Sequence, residues 1–157
     1  QGWAVMAEAL YGNGNQAYQY FRAYMPSAYN TKAEIREIEP YVYCQSTHSK
    51  YSPRYGASRL PWLSGAATWA YFSLIQYILG IRPEYDGLTI DPCIPSDWPE
   101  VKVSRRFRNK MVNITIKNQE QKQKGVKSLT LNGIPLKSNF IPIDSLIDKN
   151  DVIAIMG

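Results

Sequence analysis

The sequence predicts an α+β protein: a helical half through Arg82, then a small antiparallel β-sandwich from Pro83 onward. Three observations carry this reading. Apolar residues recur every three to four positions at Trp3, Met6, Ala7 and Leu10, and again at Ala17, Tyr18, Phe21 and Met25, the spacing of one helix face. The run from Ser64 to Leu79 is rich in Ala, Trp, Tyr, Leu and Ile on nearly every side, the mark of a buried helix. Beyond Arg82 the period drops to two, as in Met111 to Ile116, and Asp86-Gly87 and Asn132-Gly133 stand between short apolar runs.

Taken in order, the first helix covers Trp3 to Leu10 and is broken by Gly12-Asn13-Gly14. The second starts at about Asn15, a good cap residue, and runs to Met25, where Pro26 stops it, so the two make a helical hairpin with a tight turn. Residues 26–61 show little periodicity and read as a long loop. Within it, Glu39 to Cys44 is expected to be extended and Ser46 to Arg59 to form a polar excursion, with Tyr51, Tyr55 and Arg59 arguing for packing or binding. The third helix, Ser64 to Leu79 with Gly80 as its cap, is expected to be largely buried. A buried helix and one hairpin cannot enclose themselves, so further helices outside this sequence are expected to complete the layer. The start on Gln1, with an apolar helix pattern from Trp3, also reads as a piece of a larger protein. In the second half Pro92, Pro95 and Pro99 mark a bend, and Val126 to Leu131 and Val152 to Ile155 add strands. The boundary is expected near residue 83, giving units 1–82 and 83–157.

The composition fits a soluble globular chain, with 45% hydrophobic and 20% charged residues in 157. The net charge of +5 is spread along the sequence, and the one basic cluster, Arg105-Arg106-Phe107-Arg108, reads as the solvated edge of a strand rather than a nucleic-acid footprint. Cys44 and Cys93 are too few for a disulfide framework, and His48 alone cannot complete a zinc set with them, so two buried free thiols and no metal are expected. No apolar run approaches the roughly 18 to 20 residues of a membrane span, and no membrane partner is expected.

Several residues could carry chemistry. The Ser64 hydroxyl can cap the third helix, and Gly65 leaves the first free backbone N–H groups open to a ligand. The pair is either an ordinary helix start or an anion site. Gln45 follows an extended aromatic stretch, and its neutral amide suits an anion or a sugar hydroxyl as well as it suits bracing a loop. His48, the single histidine, and Arg59 are candidates for a substrate-contacting loop. Glycosidic chemistry needs a carboxylic acid at the leaving oxygen, and the helical half offers only Glu8, Glu34, Glu37 and Glu39. Glu8 reads as solvated, and the other three flank Arg36 in what reads as an ion-paired surface. No catalytic residue is assigned within this sequence.

Certain runs are more telling: Glu39-Pro40-Tyr41-Val42-Tyr43-Cys44-Gln45, Pro61-Trp62-Leu63-Ser64-Gly65-Ala66-Ala67-Thr68-Trp69, and Gln76-Tyr77-Ile78-Leu79-Gly80-Ile81-Arg82-Pro83-Glu84-Tyr85-Asp86-Gly87-Leu88. They resemble the cellobiose and chitobiose phosphorylases of glycoside hydrolase family 94. Ile90 to Trp98 and Arg105 to Arg108 fit the same family's C-terminal region, so the resemblance spans nearly the whole chain. It implies an α/α-barrel catalytic domain, of which this chain would hold the last helices, followed by a β-sandwich. It also implies inverting phosphorolysis, in which a carboxylic acid protonates the glycosidic oxygen while inorganic phosphate, a co-substrate in place of any cofactor, attacks the anomeric carbon from the opposite face.

By the same resemblance Gln45, Ser64 and Gly65 match phosphate-binding positions. The family usually carries Thr where this chain has Ser64, which keeps the hydroxyl, and often Thr at Ala66, which loses it. Its catalytic Asp and its phosphate-binding His and Arg belong to sequence preceding Gln1, and His48 is not that histidine. Ser46 to Ser52 with Arg59-Leu60-Pro61 looks more like the chitobiose-type enzymes. The expected partners are a disaccharide, phosphate, the N-terminal part of the parent enzyme and a second copy in a homodimer, and the expected compartment is the cytoplasm. A stand-alone carbohydrate-binding domain, with Tyr51 and Tyr55 stacking on sugar rings, and the tail of a related hydrolase or glucan synthase stay open as alternatives.

Overall fold

A computed structural model describes every residue from Gln1 to Gly157. Helices α1 (Gly2–Tyr11) and α2 (Gly14–Arg22) form the expected hairpin. The turn between them is tighter than the sequence suggests: Gly12 takes φ 87 and Asn13 occupies the cap position of α2. Asn15, expected as that cap, sits inside the first turn instead. Its Oδ1 accepts from the Ser96 backbone N–H at 2.9 Å, which ties α2 to the β half. The helix ends at Arg22 rather than Met25, and Pro26 opens a 3₁₀ stretch, Pro26–Lys32, instead of a plain loop.

The expected long loop is therefore structured. The 3₁₀ stretch runs into a single turn, α3 (Ala33–Arg36), and β1 (Cys44–Thr47) pairs antiparallel with β2 (Ser58–Pro61). Of the stretch expected to be extended, only Cys44 lies in a strand, because Arg36 folds inward and draws the backbone of Pro40 and Val42 around its guanidinium.

Helix α4 (Ala66–Ser73) passes directly into one wide π-type turn over Leu74–Ile78. It was expected to be largely buried, and its first half is not: Trp69 is 42% and Tyr71 64% exposed. Only one side of that half is covered, by α1, where Trp3 meets the edge of Trp69 with ring centroids 5.6 Å apart. Ala70 and Ser73 are buried on that side, and an unbroken buried run begins only at Ile78 and continues to Ile81.

Gly80 makes the change from helix to strand. Its φ is +65, and a Cβ there would stand 2.0 Å from the Asp91 carbonyl oxygen, so no side chain fits. The next residue already belongs to β3 (Ile81–Pro83), which pairs with β4 (Gly87–Ile90), and β4 pairs with β9 (Phe140–Pro142).

The second sheet has five strands. β5 (Glu100–Phe107), β6 (Lys110–Lys117), β10 (Lys149–Ile155), β7 (Ser128–Leu131) and β8 (Ile134–Leu136) lie side by side in that order. The expectation of a wholly antiparallel arrangement fails at one pair, since β10 runs parallel to β6, from Lys149 beside Met111 to Ile155 beside Lys117. The excursion between those strands is long enough for the crossover a parallel pair requires, and no sequence period reports it. β5 is an edge strand, so the basic cluster lies on a sheet margin as expected. There Arg105 donates to the Ile81 carbonyl at 3.3 Å.

One buried cluster runs through both halves, from Val5, Ala9 and Phe21 through Ile78 and Ile94 to Ile114, Ile141 and Met156. The helices and sheets therefore hold each other in place, while Val42 and Ala57, the buried apolar residues beside the β1–β2 hairpin, stand outside that cluster.

Candidate functional site

The site is assembled by Arg36 and the β1–β2 hairpin. Arg36 is only 8% exposed; its Nη2 donates to the Val42 carbonyl at 2.8 Å and its Nη1 reaches the Pro40 carbonyl at 3.4 Å. Those bonds fix the approach to β1. In the hairpin Cys44 is paired with Pro61 and Ser46 with Arg59. Gln45 thus lies across from Leu60, and β2 leads through Trp62 and Leu63 straight to Ser64.

That lead-in is unusual backbone. Leu60 (φ 52) and Trp62 (φ 66) are both left-handed, a conformation non-glycine residues hold only when neighbours impose it. Here the Trp62 indole N–H donates to Glu39 at 3.1 Å and its ring meets Tyr41 edge-on at 6.4 Å. Next, the Ser64 hydroxyl accepts from the Ala66 N–H at 3.3 Å, and Gly65, one residue later than expected, holds the cap position of α4.

A cleft of about 780 Å³ opens between these elements. Gln45, Ser46 and Thr47 line it from β1, Ala66 and Trp69 from α4, Tyr24 and Tyr55 from flanking segments, and Lys32 and Arg36 bring two cations. No Asp or Glu lines it. A cavity with two positive groups, a row of hydroxyl and amide donors and no carboxylate attracts anions. Ser64 and Gly65 are not among the lining residues and stand immediately ahead of Ala66.

The structure therefore brings Gln45 and the start of α4 to one cavity and leaves two candidates out of it. His48 bonds through Nδ1 to the Ser52 hydroxyl at 3.1 Å, holding the loop after β1. Arg59 donates to Glu37 at 3.0 Å and to its neighbour's carbonyl, Ser58 O, at 2.7 Å. Arg54 joins the same Glu37 oxygen at 2.8 Å. Of the three acids expected on an ion-paired surface only Glu37 is paired, with Arg54 and Arg59, while Glu34 and Glu39 form no ion pair; Arg36, expected on that surface, is buried. Sequence reasoning missed Arg36 and Lys32 as cleft residues, and the only available signal was an Arg placed next to Ile35 and shortly before the Tyr41-Val42-Tyr43 run.

Electrostatics sharpen the picture. Hydrogen bonding to Arg59 chiefly, with the charges of Arg54 and Arg59, holds the Glu37 carboxyl below its ordinary range. Glu39 is lowered by its own backbone N–H and by Trp62. Burial pushes the Cys44 thiol up, but bonds from Ser58 and Thr47 and the charge of Arg36 outweigh it, and the thiol sits below its usual value. Cys93, buried in the core, is pushed up to about 11. Both thiols are free, though Cys44 is only half-buried. No group of three or more His, Cys, Asp or Glu side chains is arranged to hold a metal ion, and no helix is long and apolar enough to cross a membrane.

Helices packed on two sheets, with an anion-attracting cleft beside aromatic rings, define the class of structure. The profile described as "Glycosyl hydrolase 94 superfamily, catalytic domain" matches residues 1–80, and the chain belongs to that family. Its sequence is 39% identical over 155 residues to the N,N'-diacetylchitobiose phosphorylase of Vibrio proteolyticus, covering 99% of this chain and 19% of that protein. It is 36% identical to the enzyme of the same name from Vibrio furnissii, again over 99% of this chain and 19% of the relative. Against the solabiose phosphorylase of Paenibacillus borealis it is 32% identical, over 88% of this chain and 18% of that one. The chain thus spans about a fifth of the length of these curated relatives.

Proposed function

We propose that this chain is the C-terminal part of an inverting disaccharide phosphorylase, and that it supplies one wall of the phosphate site. The observation that carries the proposal is the carboxylate-free cleft whose lining Gln45 and Ala66 of α4 share with the two cations Lys32 and Arg36. Phosphate is already an anion, so it needs orientation and charge compensation rather than deprotonation, and neutral donors such as Gln45 and Ser64 suffice.

In this reading a carboxylic acid from the rest of the enzyme protonates the glycosidic oxygen. Phosphate, held against Gln45, Ser64 and the Gly65 backbone, attacks the anomeric carbon from the opposite face and leaves a sugar 1-phosphate and a free sugar. The names of the first two relatives favour N,N'-diacetylchitobiose over cellobiose as the disaccharide. The helices of residues 1–82 belong to an α/α-barrel, residues 83–157 support it as a β unit packed on the same core, the parent enzyme is a cytoplasmic homodimer, and the chain by itself is inactive for want of the acid.

The test is sugar 1-phosphate release from chitobiose and cellobiose by the whole enzyme, with and without phosphate. Gln45→Ala and Ser64→Ala each remove one donor, and each is expected to raise the phosphate KM by about tenfold while the disaccharide KM holds. Phosphate-independent hydrolysis by the parent would instead support the hydrolase alternative.

A further inference from the structure

Arg36 is a buried cation without an anionic partner. It is the one charged residue among the buried ones, and the ion pairs engage Arg54, Arg59, Arg82, Lys102, Lys124 and Lys127, but not Arg36. The guanidinium has five N–H donors, and its two protein bonds go to neutral carbonyls, one of them long at 3.4 Å. A charge taken out of water and met by two carbonyl dipoles and the Cys44 thiol, with no carboxylate, is held at a cost that an anion would relieve. The cost falls on a particular place, because Arg36 lines the same cleft as Gln45, Lys32 and Ala66, and that cleft has no carboxylate.

We infer that Arg36 is the charge-compensating group for the anion bound in this cleft, with the exposed Lys32 as an outer cation that draws the anion in. The inference rests on the phosphorylase reading and extends it, assigning to this chain a cationic residue as well as neutral donors for inorganic phosphate and for the phosphate group of the product. Arg36 does double duty: two N–H groups shape the path to β1, and the remaining fork and the charge face the ligand.

The two roles separate experimentally in the whole enzyme. Arg36→Gln retains an amide that can donate to the Val42 carbonyl and loses the charge. It is expected to raise the phosphate KM by about tenfold or more with the disaccharide KM unchanged, and to flatten the rise of phosphate KM with added NaCl. Lys32→Ala, a surface change, is expected to give a smaller rise of about threefold that disappears at high salt. A folded Arg36→Gln enzyme with the parent's phosphate KM overturns the inference. Should that variant fail to fold, a structure of the unmodified enzyme with inorganic phosphate decides the matter. Phosphate within about 4 Å of the Arg36 guanidinium supports the assignment, and phosphate seated more than about 8 Å away, a screening length in physiological salt, overturns it. If the unmodified enzyme cleaves disaccharide without any need for phosphate, the phosphorylase reading itself falls and the inference falls with it, an outcome distinct from a phosphate-dependent enzyme indifferent to Arg36.

Discussion

Gly80→Ala tests how the helical half is joined to the sheets. At Gly80 the backbone has φ +65, and a Cβ would stand 2.0 Å from the Asp91 oxygen and 2.1 Å from its carbonyl carbon. Left-handed φ on alanine costs about 1 kcal/mol. The overlap then forces the two segments apart and weakens the flanking bonds from the Asp91 N–H to the Gly80 carbonyl and from the Cys93 N–H to the Ile78 carbonyl, both 2.8 Å. At about 1 kcal/mol each, the expected loss is about 3 kcal/mol. Gly133 is the control: its φ is also positive, +81, but a Cβ there meets nothing within 4 Å. Gly133→Ala should therefore cost only the conformational share, about 1 kcal/mol. Native-state hydrogen exchange of the amides from Ile81 to Cys93 and from Thr130 to Ile134 in the whole enzyme reads each loss locally. Equal losses at the two sites would refute the argument that close approach, rather than the sign of φ, governs Gly80.

Other expectations concern the lead-in to α4 and the two thiols. Glu39→Ala frees the Trp62 indole and relaxes the left-handed backbone before Ser64, so the phosphate KM should rise by roughly two- to fivefold, the size of one exposed hydrogen bond; Glu39→Gln keeps an acceptor and should restore it, and an unchanged KM in the Ala variant would show that Trp62 does not position Ser64. Because the Glu39 carboxyl is held below its ordinary value, this contact contributes fully above the unfolded carboxylate pKa and is lost only as pH falls through the lower folded value. Cys44, half-buried and lowered, should be alkylated well before Cys93 at pH 8, as peptide mass mapping can show. Cys93 is the opposite case. Its folded pKa of about 11 stands above the usual 9.0, so its contribution is complete below pH 9 and is lost as pH rises from there through 11, a change on the order of 2 kcal/mol. Cys93→Ala should flatten the alkaline decline in stability.

Local pattern made much of this architecture legible. The α1–α2 hairpin, the helix ending at Gly80, and the alternating strands around Met111 to Ile116 each announce themselves through a period or a turn residue. The runs around Gln45 and Ser64-Gly65 pointed to the family to which the chain belongs. Where the reading went astray, the deciding contact was distant in sequence. Asn15 is drawn to Ser96, 81 positions away, and not to its own helix start. The long loop becomes a hairpin because Cys44 meets Pro61. His48 and Arg59, read as candidates for a substrate-contacting loop, bond in the fold to Ser52 and Glu37, contacts that no local pattern announces.

The sequence by itself determined the order of helices and strands, the change of texture near Arg82 and the family, because these depend on residue type and spacing along the chain. Tertiary structure alone decided that β10 enters parallel to β6, that one core unites both halves, and that Arg36 lies buried beside Gln45 in a cleft without a carboxylate. The physical reason is that periodicity records which side of an element is apolar, whereas strand partners, burial of a charge and the absence of its counter-ion are set by residues that meet only when the chain has folded.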